Sequence, residues 1–139
     1  MARVAREVEI PLAADEAVTD EADAHRAVQR RACTFATAKL AKVGGIGTAS
    51  AIGQVIPTYL SSALDGPVGI AAAGHAAQVI REGGNDPGVA HGLATQRLFA
   101  ETIAARECTL RDGQLHLPDG PGLGVELDEA ALERHRLPK

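Results

Sequence analysis

Residues 34–64, TFATAKLAKVGGIGTASAIGQVIPTYLSSAL, predict a strand, a helix and a second strand that runs parallel to the first. The side chains of 34–40 alternate as in a strand, which places Lys39 on the face opposite the alanines. Glycines then introduce a helical pattern that Pro57 ends, and 58–64 is again strand-like. Because so short a crossover joins neighbouring strands, this stretch predicts one βαβ unit of a parallel sheet.

The same alternation extends in both directions and predicts an α/β fold with a parallel sheet. The predicted strands are residues 8–14, 34–40, 58–64 and 88–95, and the predicted helices are 20–33, 48–56, 68–84 and 96–106. A hairpin is predicted over 108–118, with a turn at Asp112-Gly113, and a short helix follows near the end of the chain. We therefore expect four βα units over residues 1–105 and a distinct C-terminal segment over 106–139.

Length and composition limit the class of protein. The chain has 139 residues, enough for one domain with its own core, and a net charge of −4. No run of Lys or Arg points to nucleic acid or an anionic membrane as a partner, and no apolar run is long enough to span a bilayer. Cys33 and Cys108 lie far apart without zinc-ligand spacing, so no disulfide framework or zinc site is expected. The expected location is a reducing cytoplasm.

Reactive side chains in parallel α/β folds lie at the carboxyl ends of strands, where the loops meet. Asp15 and Glu16 follow the first predicted strand and Lys39 ends the second, while Ser61–Asp65 and His91–Thr95 end the third and fourth. Oxygen donors suit Mg²⁺, which makes Asp15 a candidate metal ligand. The structural alternatives are a carboxylate that stabilises a helix N-terminus and a strand-end lysine that reaches into solvent.

The chemistry expected of Lys39 depends on its burial. A partly buried lysine near a cation has its ammonium form disfavoured and acts as a general base or acid. An oxygen-bound metal and a lysine on neighbouring strands can together stabilise the enediolate that forms when a proton is removed beside a carboxylate. From the residues alone, one hypothesis is an enzyme site on the rim of the sheet that contains Asp15 and Lys39.

Five segments together resemble a known family. They are IPLAADEAV, AKLAKVGG, SSALDGPVGIAAAGHAA, HGLAT and DGQLHLPDGPGLGVELDEAALERHRL. They are similar to the carboxyl half of the muconate-lactonizing subgroup of the enolase superfamily, most of all to its o-succinylbenzoate synthases. The resemblance implies the C-terminal half of a (β/α)8 TIM-type barrel, with parallel strands five to eight. It also implies a C-terminal hairpin and helix that pack near the family's capping domain.

The resemblance further implies a lyase that removes water from a cyclohexadiene carboxylate through an enediolate, with Mg²⁺ or Mn²⁺, in menaquinone biosynthesis. Asp15 matches a metal-binding carboxylate, Glu16 is the neighbouring acid of that motif, and Lys39 matches the lysine that stabilises the enediolate. The positions that match substrate contacts are Ser61, Ser62 and Gly92. Dipeptide epimerases, N-acylamino acid racemases and muconate cycloisomerases share several motifs and stay as alternatives.

The sequence contains less than half of the family's pattern. It lacks the family's second-strand Lys-x-Lys and two earlier carboxylate ligands, so a metal ion needs ligands from outside this chain. Four strands also leave two open sheet edges. We therefore expect part of an enzyme that acts on a small carboxylate, completed by an N-terminal half or another chain. The alternative of another class is a non-catalytic half-barrel that interacts with a partner chain.

Overall fold

The computed structural model describes residues 1–137. The helices are α1 (Glu21–Gln29), α2 (Leu40–Val43), α3 (Ile46–Val55), α4 (Pro67–Glu82) and α5 (Glu129–Arg134). The strands are β1 (Ala13–Ala14), β2 (Phe35–Ala38), β3 (Thr58–Leu60), β4 (Ala104–Arg106), β5 (Thr109–Arg111), β6 (Gln114–His116) and β7 (Glu126–Leu127). Short 3-10 turns cover Val4–Arg6 and Thr95–Leu98. Across this part of the chain, no helix is long and apolar enough to cross a membrane.

The central sheet is parallel, in the order β1-β2-β3, as the sequence predicts. Ala36 of β2 pairs with Thr58 of β3. A fourth strand position adjoins β3, because Ser61 and Gly92 form an isolated parallel bridge. Gly92 N–H donates to Leu60 O at 2.9 Å. The alternating order of strands and helices therefore produces a parallel α/β layer.

One face of the sheet, the helical face, packs against α3 and α4 and is built from small aliphatic side chains. Ala36 and Ala38 are each 1% exposed and Leu60 is fully buried in the same core. Small residues allow the helices to approach closely. A Cβ placed on Gly53 of α3 would lie 3.1 Å from Cγ1 of Ile80 on α4.

The opposite face of the sheet, called the inner face here, is formed by Ala13, Phe35, Thr37 and Tyr59. Side chains alternate along a strand. Because Ala36, Ala38 and Leu60 face the helices, the residues next to them in each strand point away from the helices. Phe35 and Tyr59 are partly exposed and Ala13 is exposed, whereas Thr37 is buried. Two of the chain's three aromatic residues therefore lie on this face.

The first strand is shorter than the predicted 8–14, because only Ala13–Ala14 pair with β2. Pro11 has no N–H to donate to a ladder. Leu12 O accepts from Thr34 N and Phe35 N, at 2.7 and 3.1 Å, which ties the segment to the start of β2. Ile10 is 69% exposed, so the residues before Leu12 lie outside the core.

The prediction of a helix over 96–106 is wrong. The prediction of a fourth complete βα unit is therefore wrong as well. Only the 3-10 turn of Thr95–Leu98 forms, and β4 then pairs antiparallel with β7. Leu117, which directly follows β6, packs against α4 instead. A Cβ placed on Gly74 of α4 would lie 2.5 Å from Cδ2 of Leu117. The pairing of β4 with β7 joins residues that are far apart in sequence, which a local helical period cannot show.

The C-terminal elements agree with the sequence prediction. Strands β5 and β6 form an antiparallel hairpin, and Asp112 and Gly113 both have positive φ, as a tight two-residue turn requires. The Asp128 side chain accepts from Ala130 N and Ala131 N and caps α5. The division into domains at residues 105 and 106 stays a prediction.

Candidate functional site

The candidate site lies at the carboxyl edge of the parallel sheet. Asp15 follows β1 directly, Lys39 follows β2 and Ser61 follows β3. Parallel strands end at one common edge, so residues from distant parts of the sequence meet there. Lys39 also begins α2, because its carbonyl accepts from Val43 N at 3.0 Å. The strand end and the helix start together fix the backbone of this lysine.

Lys39 joins both candidate carboxylates. Its Nζ donates to Asp15 Oδ2 and to Glu16 Oε1, each at 2.7 Å. The Lys39 side chain is only 15% exposed, whereas those of Asp15 and Glu16 are 49% and 56% exposed. Most of the Lys39 side chain is therefore covered, and its two carboxylate partners stay open to solvent and to a ligand.

The two carboxylates further favour the charged form of the lysine. The hydrogen bond that Lys39 donates to Asp15, followed by the one it donates to Glu16, raises the pKa of Lys39, and partial burial opposes this shift. The hydrogen bond from Lys39 in turn lowers the pKa of Glu16. Charge pairing thus outweighs desolvation in this arrangement, and the effect that a nearby cation would have on the ammonium form stays a prediction. Lys39 is a charged hydrogen-bond donor in this arrangement.

The serines form a second part of the rim. Ser62 Oγ accepts from Asp65 N at 2.7 Å and from Thr95 Oγ1 at 2.6 Å. Ser61 N donates to Ala38 O at 2.9 Å, which places this residue beside the end of β2. The structure thus brings the serines to the same edge as Lys39, with no hydrogen bond between them among residues 1–137.

Gly92 allows the fourth strand position to approach β3 closely. A Cβ at this residue would lie 2.8 Å from Ser61 Oγ, closer than real Cβ contacts. Ser62 N donates to Gly92 O at 2.9 Å, so its backbone is part of the sheet. Gly92 is therefore at the rim predicted for it, and its backbone groups are engaged by neighbouring strands.

Three rim residues had no role assigned from the sequence. Thr95 and Asp65 both hold Ser62, and only their position after predicted strands could have indicated them. His91 Nδ1 accepts from Leu60 N at 3.1 Å, and burial lowers the pKa of this half-buried imidazole. Its contact is structural, since it completes the hydrogen bonding of the sheet edge.

The residues of the rim fit part of a metal site. Asp15 and Glu16 offer half-exposed carboxylate oxygens, which are the donors that Mg²⁺ or Mn²⁺ prefers. Within residues 1–137, no group of three or more His, Cys, Asp or Glu side chains converges. The chain therefore supplies at most a pair of such ligands at this position.

The fold and the rim define an α/β chain of the (β/α)-barrel class, with charged side chains at the carboxyl edge of its parallel sheet. More specifically, the chain belongs to the enolase C-terminal domain-like family, whose model matches residues 1–131. Its architecture corresponds to half of such a barrel.

Known proteins agree with this assignment. The chain is 34% identical over 140 residues to muconate cycloisomerase 1 of Rhodococcus opacus, covering 96% of this chain and 36% of that protein. It is 39% identical over 135 residues to o-succinylbenzoate synthase of Mycobacterium leprae (strain TN), covering 96% and 37%. It superposes on the muconate lactonizing enzyme from Pseudomonas putida with a TM-score of 0.82 and 29% identity, again covering 96% and 37%. The chain thus spans little more than a third of the length of these relatives.

Proposed function

We propose that this chain forms part of an enolase-superfamily active site that dehydrates a cyclohexadiene carboxylate to o-succinylbenzoate through an enediolate. The observation that carries the proposal is the pair of 2.7 Å hydrogen bonds from Lys39 to Asp15 and Glu16 at the rim. The 39% identity to the Mycobacterium leprae synthase supports this reaction.

In this proposal Lys39 acts as a cation. Removal of a proton next to a carboxylate places negative charge on the carboxylate oxygens. An ammonium group that is already held in position stabilises that charge without having to reorient when the charge develops. Asp15 and Glu16 favour its charged form and orient its Nζ. They therefore act on the reaction through Lys39.

Asp15 has a second proposed role as one ligand of Mg²⁺ or Mn²⁺, with Glu16 as the neighbouring acid. Bound there, the metal would polarise the substrate carboxylate. The remaining ligands have to come from polypeptide outside these residues, since Mg²⁺ retains its waters unless further oxygens surround it.

The residues proposed to contact the substrate are Ser61, Ser62 and Gly92. Ser61 Oγ accepts or donates no hydrogen bond among residues 1–137, so its hydroxyl is available to a substrate carboxylate. Ser62 is held in place by Thr95 and Asp65. Glycine at position 92 leaves space beside Ser61.

A second candidate is muconate cycloisomerisation. The 34% identity to the Rhodococcus opacus enzyme extends over 140 residues and favours this reaction. Epimerisation of dipeptides and racemisation of N-acylamino acids are further reactions of the same subgroup. All of them use the same rim, so the site geometry alone supports the class of reaction more than the substrate.

A chimera tests the proposal. Residues 1–131 of this chain would replace the matching segment of Mycobacterium leprae o-succinylbenzoate synthase, which supplies the rest of the barrel. We expect o-succinylbenzoate as the product. A folded chimera that forms muconolactone from muconate and no o-succinylbenzoate would contradict the proposal and favour the cycloisomerase.

A further inference from the structure

A cavity of about 580 Å³ lies between α4, the β5–β6 hairpin and the segment 86–94. Small-molecule sites in proteins commonly have volumes of this size. The apolar lining includes Ala77 and Leu93, which are 9% and 5% exposed, and Leu115 and Leu117, which pack against the core. All three walls are formed by residues of this chain, so the cavity offers an apolar floor of defined shape.

His91 contributes a hydrogen-bond donor to this cavity. Its Nδ1 accepts from Leu60 N–H at 3.1 Å. A neutral imidazole carries one proton on its ring nitrogens, and that proton must then lie on Nε2. The half-buried ring lines the cavity, and its Nε2 has no hydrogen-bond partner among residues 1–137. The Nε2–H group is therefore available to a ligand.

Arg81 supplies a positive charge near this donor. It is exposed in the last turn of α4, lines the cavity and makes no ion pair within the described part of the chain. After burial, the charges of Asp86 and Arg81 are the next causes that act on the pKa of His91, in opposite directions, so both lie near the ring. Asp86 Oδ1 is already engaged by Gly88 N at 2.9 Å. The free donors thus suit a carboxylate, and Asp86 disfavours a second negative charge on the same molecule.

We propose that this cavity binds a small monocarboxylate with an apolar ring or chain. Arg81 pairs with the carboxylate, His91 Nε2–H donates to it, and the apolar part contacts Leu93 and Leu115. Such a molecule satisfies the polar donors and covers the apolar floor together, which neither a small inorganic anion nor an uncharged apolar molecule does. This site does not depend on the reaction proposed above.

Titration of the full 139-residue chain with benzoate tests the proposal. The ring resonances of His91, identified in NMR spectra by their loss in His91→Asn, report on binding at this cavity. We expect these resonances to shift saturably with benzoate. Benzamide has a similar shape without the charge, and it should bind about fivefold or more weakly because it cannot form an ion pair with Arg81.

Two substitutions with matched controls locate the site. Arg81→Gln should weaken benzoate binding about fivefold or more, whereas Arg30→Gln, at an exposed arginine after α1, should leave the affinity unchanged. Gln114→Glu adds a negative charge to the cavity wall on β6 and should also weaken binding. Gln54→Glu, an exposed change on α3, is its control. If Arg81→Gln fails to fold by circular dichroism, the Gln114 variant and its control give the same test.

Three results would overturn the proposal. One is the absence of a saturable shift of the His91 resonances with benzoate. The others are benzamide binding as tight as that of benzoate, and losses of affinity that are equal in the cavity variants and in their controls.

Discussion

Lys39 Nζ lies 2.7 Å from Oδ2 of Asp15, although 24 positions separate the two residues in the sequence. The contact exists because β1 and β2 are parallel neighbours that end at one edge of the sheet. It joins a mostly covered lysine side chain to an exposed carboxylate. The first predictions concern this pair and the sheet edge near it.

Asp15→Asn and Glu16→Gln should both lower the pKa of Lys39, and Asp15→Asn should lower it more. The hydrogen bond to Asp15 is the larger cause of the raised value. The pKa can be followed by NMR titration of the lysine side-chain resonances. Glu82→Gln, an exposed change at the far end of α4, is the control. A Lys39 pKa unaffected by Asp15→Asn would show that the contact with Asp15 does not raise it.

His91 should make the stability depend on pH. Its Nδ1 accepts from Leu60 N–H, which requires a neutral ring, and burial lowers its pKa below the ordinary 6.5. Between these two pKa values the unfolded chain binds a proton that the folded chain does not. The contribution of neutral His91 to the free energy of unfolding is therefore complete above about pH 6.5. It falls as the pH drops through the folded-state pKa and then levels off.

Urea unfolding of the chain between about pH 7.5 and pH 5 measures this effect. His91→Asn keeps an acceptor near Leu60 N but cannot titrate, so the free energy of unfolding should fall less steeply with acidification. Identical pH profiles for the two proteins would rule out His91 as a cause.

Gly124→Ala should be strongly destabilising. A Cβ there would lie 2.1 Å from the carbonyl oxygen of Pro118, and φ is +72°. Gly122 has a similar φ of +64°, but a Cβ there would meet nothing within 4 Å. Gly122→Ala should therefore lower the free energy of unfolding only by the cost of the left-handed backbone conformation, about 1–2 kcal/mol. The backbone clash should add roughly 1–3 kcal/mol at Gly124, measured by denaturant unfolding. Equal losses in the two variants would mean that the Pro118 contact relaxes freely.

Leu60→Ala should lower the free energy of unfolding by about 2–5 kcal/mol. Leu60 is fully buried where β3 meets the helices. Leu98→Ala is the control, because Leu98 is 73% exposed and should change the stability by less than about 0.5 kcal/mol. Similar values for both would place β3 outside the core.

Local patterns were sufficient to predict the parallel sheet and the position of its rim. The alternation around Lys39 and the helical spacing after it are properties of a few consecutive residues. Asp15 and Lys39 could be placed at one edge because parallel strands share their carboxyl ends. The sequence also resembled the family to which the chain belongs. The roles of these residues in catalysis and metal binding stay predictions.

What could not be predicted depends on contacts between distant segments. The apolar spacing of 96–106 favours a helix, but Ala104–Arg106 pair with Glu126–Leu127 instead. The raised pKa of Lys39 required that Asp15 and Glu16 both reach its Nζ, and only the folded arrangement shows this. The Thr95 contact to Ser62 likewise spans 33 positions.

The most direct test of the account compares two lysines of the chimera with the Mycobacterium leprae synthase. Lys39 lies at the rim, whereas Lys42 is an exposed residue one turn further along α2. Lys39→Ala should lower kcat for o-succinylbenzoate formation by about 100-fold or more, and Lys42→Ala should leave kcat unchanged. A Lys39→Ala chimera that retains its kcat, or equal losses in both variants, would contradict the proposed role of Lys39 as the cation that stabilises the enediolate.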